Sequence, residues 1–293
     1  MGVNFLYIAR LFARFLFIFI LLSPLFGATF FIGTFSSAAL FGQIHLSDPF
    51  AGLQIVLSNP ASIFTSFAIS IGIVLVVYAI IGRMFCSWVC PLGLLLEITD
   101  KLFSIISDKF PRKDKEGFSL KPEIRRPYEK AVQRNTKYVL LVIILVVGLL
   151  ASMPVFELFS PMAIFMRMMI FGIGLELMLI AVVVISNWVY GSANWCSNIC
   201  PLGAFYSILG SKRLLRIKLQ ESECVQCGKC YEQACKYGSW ILKAAVLERD
   251  TNKISNECTN CGDCIAVCKH NALGFSIHSP IPMAIDPKQI SAK

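Results

Sequence analysis

Eight cysteines between Cys224 and Cys268 constrain the fold of this chain more tightly than any other stretch. They fall into two runs, C-x2-C-x2-C-x4-C (Cys224, Cys227, Cys230, Cys235) and C-x2-C-x2-C-x3-C (Cys258, Cys261, Cys264, Cys268). Three thiolates at this spacing wrap one [4Fe–4S] cubane, and the fourth, held further along the chain, reaches the other cluster. The expected ligand sets are Cys224, Cys227, Cys230 and Cys268 for one cluster, and Cys258, Cys261, Cys264 and Cys235 for the second. Structural zinc takes two short pairs rather than a triplet and an outlier. Lys236 and Lys269 follow the fourth cysteines where this pattern places proline, and the first run carries one extra residue. Neither departure changes the ligand count.

The rest of the chain is apolar. Of 293 residues, 56% are hydrophobic and only 15% charged, against about half and a quarter in a soluble domain. Four stretches, approximately Phe15–Gly33, Ser62–Gly82, Tyr138–Phe156 and Met169–Trp188, come near the roughly 20 residues that a bilayer requires and predict transmembrane helices. The Ser23-Pro24 pair kinks the first. Lysine and arginine number 12 between Arg83 and Lys137 and 12 after Trp188, but none between Thr34 and Ala61 and one, Arg167, between Glu157 and Met168. By the positive-inside rule both termini and the central loop are cytoplasmic, in a multi-pass protein of a bacterial inner membrane. The cysteine run then lies where thiols stay reduced. The net charge of +9 follows membrane orientation rather than nucleic-acid binding. Lys109, Arg112, Lys113, Lys115 and Lys121 are expected to meet anionic lipid headgroups.

A repeat organises the apolar part. Cys86-Ser-Trp-Val-Cys90-Pro91-Leu92-Gly93 recurs 110 residues later as Cys196-Ser-Asn-Ile-Cys200-Pro201-Leu202-Gly203. Each block ends a two-span unit, so the units (about 11–110 and 136–215) run parallel. The fold class is therefore an all-α polytopic membrane domain (1–218) of four transmembrane helices, followed by an α+β two-cluster ferredoxin-like domain (219–275) and an extended tail (276–293). Cysteines at i and i+4 share a helix face. If the repeat symmetry brings Cys86, Cys90, Cys196 and Cys200 together, they offer a four-thiolate site for a further metal or iron–sulfur centre. Redox dithiols and plain packing are the other readings. No C-x2-C-H motif occurs and the three histidines, His45, His270 and His278, lie outside the spans, so no haem is expected.

The blocks at Gly82–Gly93 and Trp195–Lys212, together with the double cysteine run, resemble the NapH-type membrane quinol dehydrogenase subunit of periplasmic nitrate reductase systems. The likeness covers nearly the whole chain, including Phe35–Phe50. It implies quinol as substrate, two [4Fe–4S] clusters as one-electron carriers, and a periplasmic ferredoxin-like or multihaem subunit as partner. One difficulty is physical: clusters on the inside must pass electrons across about 30 Å of hydrocarbon to an outside acceptor. A quinol site also needs a proton acceptor. His45 and Asp48 on the outward side and the intramembrane carboxylate Glu176 are the catalytic candidates, with Glu157 and Arg167 beside them. Arg83 and Trp195 flank the cysteine blocks. The C-x3-C-P element also occurs in copper-oxidase assembly proteins, so a copper reductase or assembly factor is the alternative enzyme reading. A redox-sensing membrane anchor is the third.

Overall fold

Proline and glycine set the element boundaries of the helical half. The computed structural model describes residues 2–23, 31–33, 37–40, 44–58, 65–109, 131–160, 163–165, 167–168, 172, 174, 177–191 and 193–277. Helix α1 (Gly2–Leu22) stops where Ser23 donates its hydroxyl to the Ile20 carbonyl, one residue before Pro24. The stretch Phe15–Gly33 is therefore not one helix. It ends in β1 (Phe31–Gly33), which joins β2 (Ser37–Leu40) and β3 (Ile44–Ser47) in an antiparallel sheet pairing Phe31 with Leu40 and Ser37 with Ser47. This sheet corrects the all-α expectation. Helix α2 (Pro49–Ser58) follows and packs on α3 (Thr65–Ile81), which Gly82 closes at φ +72°.

The remaining helices also depart from the expected spans. After α4 (Met84–Trp88) and α5 (Pro91–Lys109), α6 covers Ala131–Ala151, beginning before Tyr138 and ending before Met153-Pro154. Proline 154 forces a break, and the short α7 (Val155–Phe159) takes over. The fourth stretch yields α8 (Leu177–Tyr190), 14 residues long. Among the described residues no helix is long and apolar enough to cross a membrane. Helix α9 (Pro201–Leu209) completes this half.

The C-terminal part is a two-stranded antiparallel sheet, β4 (Leu215–Leu219) with β5 (Leu273–Ile277), and two short helices, α10 (Trp240–Glu248) and α11 (Asp263–Val267). Its core joins Ile217, Leu219, Ile241, Leu242, Val246 and Leu273 to the buried Cys230, Cys258 and Cys264. The two halves are in direct contact. The Leu214 amide donates to Ile80 O at 3.0 Å, and α1 lies along α11. The basic segment 110–130 and the tail from residue 278 lie outside the described residues.

Candidate functional site

Both ferredoxin runs build the same loop. Gln226 and Gly228 flank Cys227 in left-handed conformation, and Asn260 and Gly262 do the same around Cys261. That backbone turns successive amides inward, as in anion-binding nests, and at the second flank only glycine adopts it without cost. The fourth cysteines, Cys235 and Cys268, are both extended. Cys224, Cys227, Cys230 and Cys268 line one cavity together with Gly228, Val246 and Val267. Cys227 is exposed there, whereas Cys258 and Cys264 are buried. Burial, reinforced by Cys261 and Cys258, pushes the Cys235 thiol well up, so these three lie in one electrostatic neighbourhood.

The C-S-x-x-C blocks form a second pair of matched turns. The Cys90 amide donates to Phe85 O at 3.0 Å and the Cys200 amide to Trp195 O at 2.8 Å, the same fifth-residue bond in both. Each pair was expected across one helical turn. Instead Cys200 is extended, because Pro201 excludes the helical region from the residue before it and starts α9 as its first residue. Pro91 opens α5 in the same way. Cys90 nevertheless packs with Cys200 on one apolar cluster and with Cys196 on another, and all four thiols are electrostatic neighbours. Burial raises Cys90 to about 12, and the Cys86 and Cys200 thiols add to the rise. Burial likewise raises Cys200 to about 11, with Cys86 adding and the Arg83 guanidinium opposing. Iron held there would have to displace the thiol protons, and the Arg83 guanidinium beside Cys200 would favour the thiolate.

Among the described residues no three cysteine, histidine or carboxylate side chains group tightly enough to hold a single metal ion. This applies to the ferredoxin cysteines as well. A tetrahedral ion with metal–sulfur bonds of about 2.3 Å draws its thiolates to roughly 3.8 Å apart. The donor set in both regions is thiolate-only and fits iron–sulfur clusters, which supply one-electron oxidation and reduction when bound.

Matched polar contacts dock the repeat turns onto the ferredoxin loops. Ser87 donates its hydroxyl to Thr259 O and Ser197 donates to Tyr237 O, both at 2.8 Å. Thr259 follows Cys258 and Tyr237 lies two residues after Cys235, so both serines reach backbone belonging to the same ligand set. The serine carbonyls are held from the first helix of each unit, Ser87 O by Arg14 at 2.5 Å and Ser197 O by Lys137 at 2.9 Å. Tyr237 packs against the core holding Cys258 and Cys264 and also against the one holding Cys196 and Cys90. It is the side chain between the two thiol groups.

Two charge networks surround this junction. Glu257 accepts from Arg83 at 3.1 Å, from Tyr138 at 2.9 Å, and from Lys137, while Arg83 also donates to Cys196 O at 2.9 Å. Arg83 and Lys137 are fully buried. On the other flank Glu97 accepts from Arg14 at 2.6 Å and Lys236 at 2.9 Å, and Arg10 pairs with Asp263 at 2.7 Å. Burial alone would raise Glu97, but Lys236 and Arg14 outweigh it and hold the carboxyl down at about 2. Sequence reading had not singled out Ser87, Ser197, Glu257, Lys137 or Tyr237. The serines carried a signal, occupying the same place in both blocks. The others are brought in from distant positions.

The proton candidates separate. Glu176 lies outside the described residues. His45 sits in β3 opposite Ala39. Asp48 was expected on the far side from the cysteine blocks, yet its carboxylate accepts a hydrogen bond from Tyr206, six residues past Cys200.

Comparison with known proteins fits this geometry. A family profile described as a 4Fe-4S binding domain matches residues 63–113 and 171–220, the two repeat units rather than the run Cys224–Cys268. The ferredoxin-type protein NapH of Escherichia coli (strain K12) is 31% identical over 254 residues, 85% of this chain and 80% of the relative. The chain belongs to the NapH family of ferredoxin-type proteins. NapH of Haemophilus influenzae is 28% identical, covering 86% of this chain and 83% of that one. The methylamine utilization ferredoxin-type protein MauN of Methylorubrum extorquens is 29% identical, covering 71% and 67%. No solved structure matches. The chain is thus an iron–sulfur electron-transfer protein.

Proposed function

We infer that this NapH-family chain is the quinol-oxidising, membrane-embedded electron carrier of a periplasmic nitrate reductase system. The observation that carries the reading is the junction. Four thiols from the repeat turns meet the backbone of one ferredoxin ligand set through Ser87, Ser197 and Tyr237. A redox group at Cys86, Cys90, Cys196 and Cys200 would then be the first carrier. The set Cys258, Cys261, Cys264 and Cys235 would hold the second cluster. Cys224, Cys227, Cys230 and Cys268, with Cys227 exposed, would hold the third at the surface where a partner subunit docks. The match of a 4Fe-4S profile to both repeat units supports iron at the four-thiol site.

The membrane assignment rests on exposed apolar faces and charge asymmetry. Helix α3 exposes Ile69, Ile73, Val76 and Ile80, and α6 exposes Val139, Val142, Val146 and Leu150. Faces of that extent rarely stand in water. With lipid over them, the lysine and arginine distribution orients both termini inward. The nitrate link comes from the resemblance and from the relatives named NapH.

The test is anaerobic purification, iron and sulfide analysis, and low-temperature EPR after adding a quinol analogue. The reading expects iron beyond two cubanes, and cluster signals that appear with quinol. Iron sufficient for two clusters, unchanged by Cys86→Ser with Cys200→Ser, removes the first carrier. Clusters reducible by dithionite but never by quinol remove the quinol role.

A further inference from the structure

Asp48 differs from the carboxylates at the ferredoxin junction. It is buried, at 9% exposure, and its Oδ1 accepts from the phenol of Tyr206, which is fully buried. Its Oδ2 accepts a long 3.4 Å bond from the Ala51 amide at the start of α2. Among the described residues no cation pairs with it. The charged or titratable groups facing it are Tyr206 from α9, Tyr78 from α3 and Glu157 from α7, together with the Ala51 and Phe50 amides of its own helix. At the ferredoxin junction Glu257 has two cations and Glu97 three; Asp48 has phenols.

The phenols lead toward the repeat thiols. The Tyr206 and Tyr78 rings lie 4.3 Å apart. Phe85, whose neighbour is Cys86, stands 6.0 Å from Tyr206 and 5.9 Å from Tyr78. Cys86 acts electrostatically on both phenols and Cys90 on Tyr78. Asp48 accepts hydrogen bonds from Tyr206 and the Ala51 amide, neither of them a cysteine. The rings of Tyr206, Tyr78 and Phe85 form an aromatic layer between this carboxyl and the Cys86 turn, and charge is weakly screened across such a layer.

We propose that Asp48 is a redox-linked proton site, taking up one proton from water on its carboxylate as one electron reaches the four-thiol centre, and releasing it on reoxidation. The inference rests on the reading of Cys86, Cys90, Cys196 and Cys200 as a redox centre. The balance is one electron from a quinol-class donor at the thiols and one O–H bond formed on Asp48, so net charge in the buried region is unchanged. Reoxidation by the next cluster breaks that bond. Burial, only partly offset by the Tyr206 hydrogen bond, raises Asp48 to about 6, so the carboxylate is available to accept a proton at neutral pH.

The experiment uses the full-length protein with its clusters, poised electrochemically between pH 5 and 8. EPR reads the midpoint potential of the additional centre, and reduced-minus-oxidised infrared spectra read carboxyl protonation. The wild type is expected to lose about 59 mV per pH unit above pH 6, the one-proton, one-electron slope. It should also gain a protonated-carboxyl band on reduction. Asp48→Asn keeps a good helix cap and should abolish both effects while retaining all iron. Tyr206→Phe removes the bonded hydroxyl and should shift the band and the onset of the slope. A pH-independent wild-type potential, or an Asp48→Asn protein with the wild-type slope, overturns the proposal. Iron and sulfide counts on the same samples distinguish the failures. Iron for only two clusters ends the redox-centre reading and this one with it, whereas a full count with a flat potential removes Asp48 alone.

Discussion

Removing Glu257 should loosen the ferredoxin half from the helical half by a predictable amount. Its carboxylate pairs with both Arg83 and Lys137, and both cations are buried. Deleting one partner of a buried pair typically costs about 3–5 kcal/mol, because the remaining charge cannot return to water. Glu257→Ala removes the carboxylate that Arg83 and Lys137 share and belongs at the upper end. Glu257→Gln keeps acceptor capacity and should lose about 1.5–3 kcal/mol, the worth of charged hydrogen bonds. At about 1.4 kcal/mol per factor of ten, that is roughly tenfold to a hundredfold for the amide. For alanine it is several hundredfold or more. The assay is hydrogen exchange at the Leu214 amide, whose bond to Ile80 O joins the halves. Glu248→Gln is the control, since the Glu248–Lys253 pair is surface-exposed and worth little. Exchange at Leu214 that changes less than about threefold in Glu257→Ala, or no more than in the control, refutes the reasoning.

Acid should weaken the opposite flank. Glu97 is held at about 2 against an ordinary 4.5, so its contribution is present above pH 4.5 and is lost as pH falls from 4.5 toward 2. The full effect is about 3 kcal/mol, measurable as a pH-dependent unfolding midpoint that flattens in Glu97→Gln. Ser87→Ala and Ser197→Ala each delete one buried bond to the ferredoxin backbone, about 1 kcal/mol or roughly fivefold faster exchange of the docked loops. The double variant should be near additive. Gly93→Ala would place a Cβ 2.9 Å from Cys86 O, and Gly203→Ala one at 2.9 Å from Arg83 Nη2 and 3.2 Å from Cys196 O. Each should cost about 1–3 kcal/mol and lower iron at the four-thiol site, read by metal analysis, with the C-terminal clusters retained. Arg83→Met should make that centre harder to reduce, by on the order of 60 mV for each tenfold of lost charge stabilisation, read by potentiometric EPR.

What could be read in the sequence follows from short-range geometry. The turns between neighbouring cysteines span two to four residues, so the spacing of Cys224–Cys235 and Cys258–Cys268 already implies the matched loops seen around Cys227 and Cys261. Pro91 and Pro201 start helices because proline acts on its own dihedral and its neighbour's, but the expected spans Phe15–Gly33 and Tyr138–Phe156 ran on past Pro24 and Pro154, where the helices in fact end first. The repeat was visible because it preserves order as well as composition. Hydropathy, in contrast, set helix ends poorly: Phe15–Gly33 is apolar throughout yet holds a helix end and a strand.

The tertiary structure alone decided which distant groups meet. Nothing local in the chain joins Asp48 to Tyr206, 158 residues away, or Glu257 to Arg83, 174 residues away. Such contacts obey no periodicity; they exist because the buried carboxylates had to find donors once apolar packing had removed water. The chain itself dictated which atoms are able to bind iron. Packing decided what surrounds them, with paired cations at one carboxylate and only phenols at the other, and that surrounding fixes their charge.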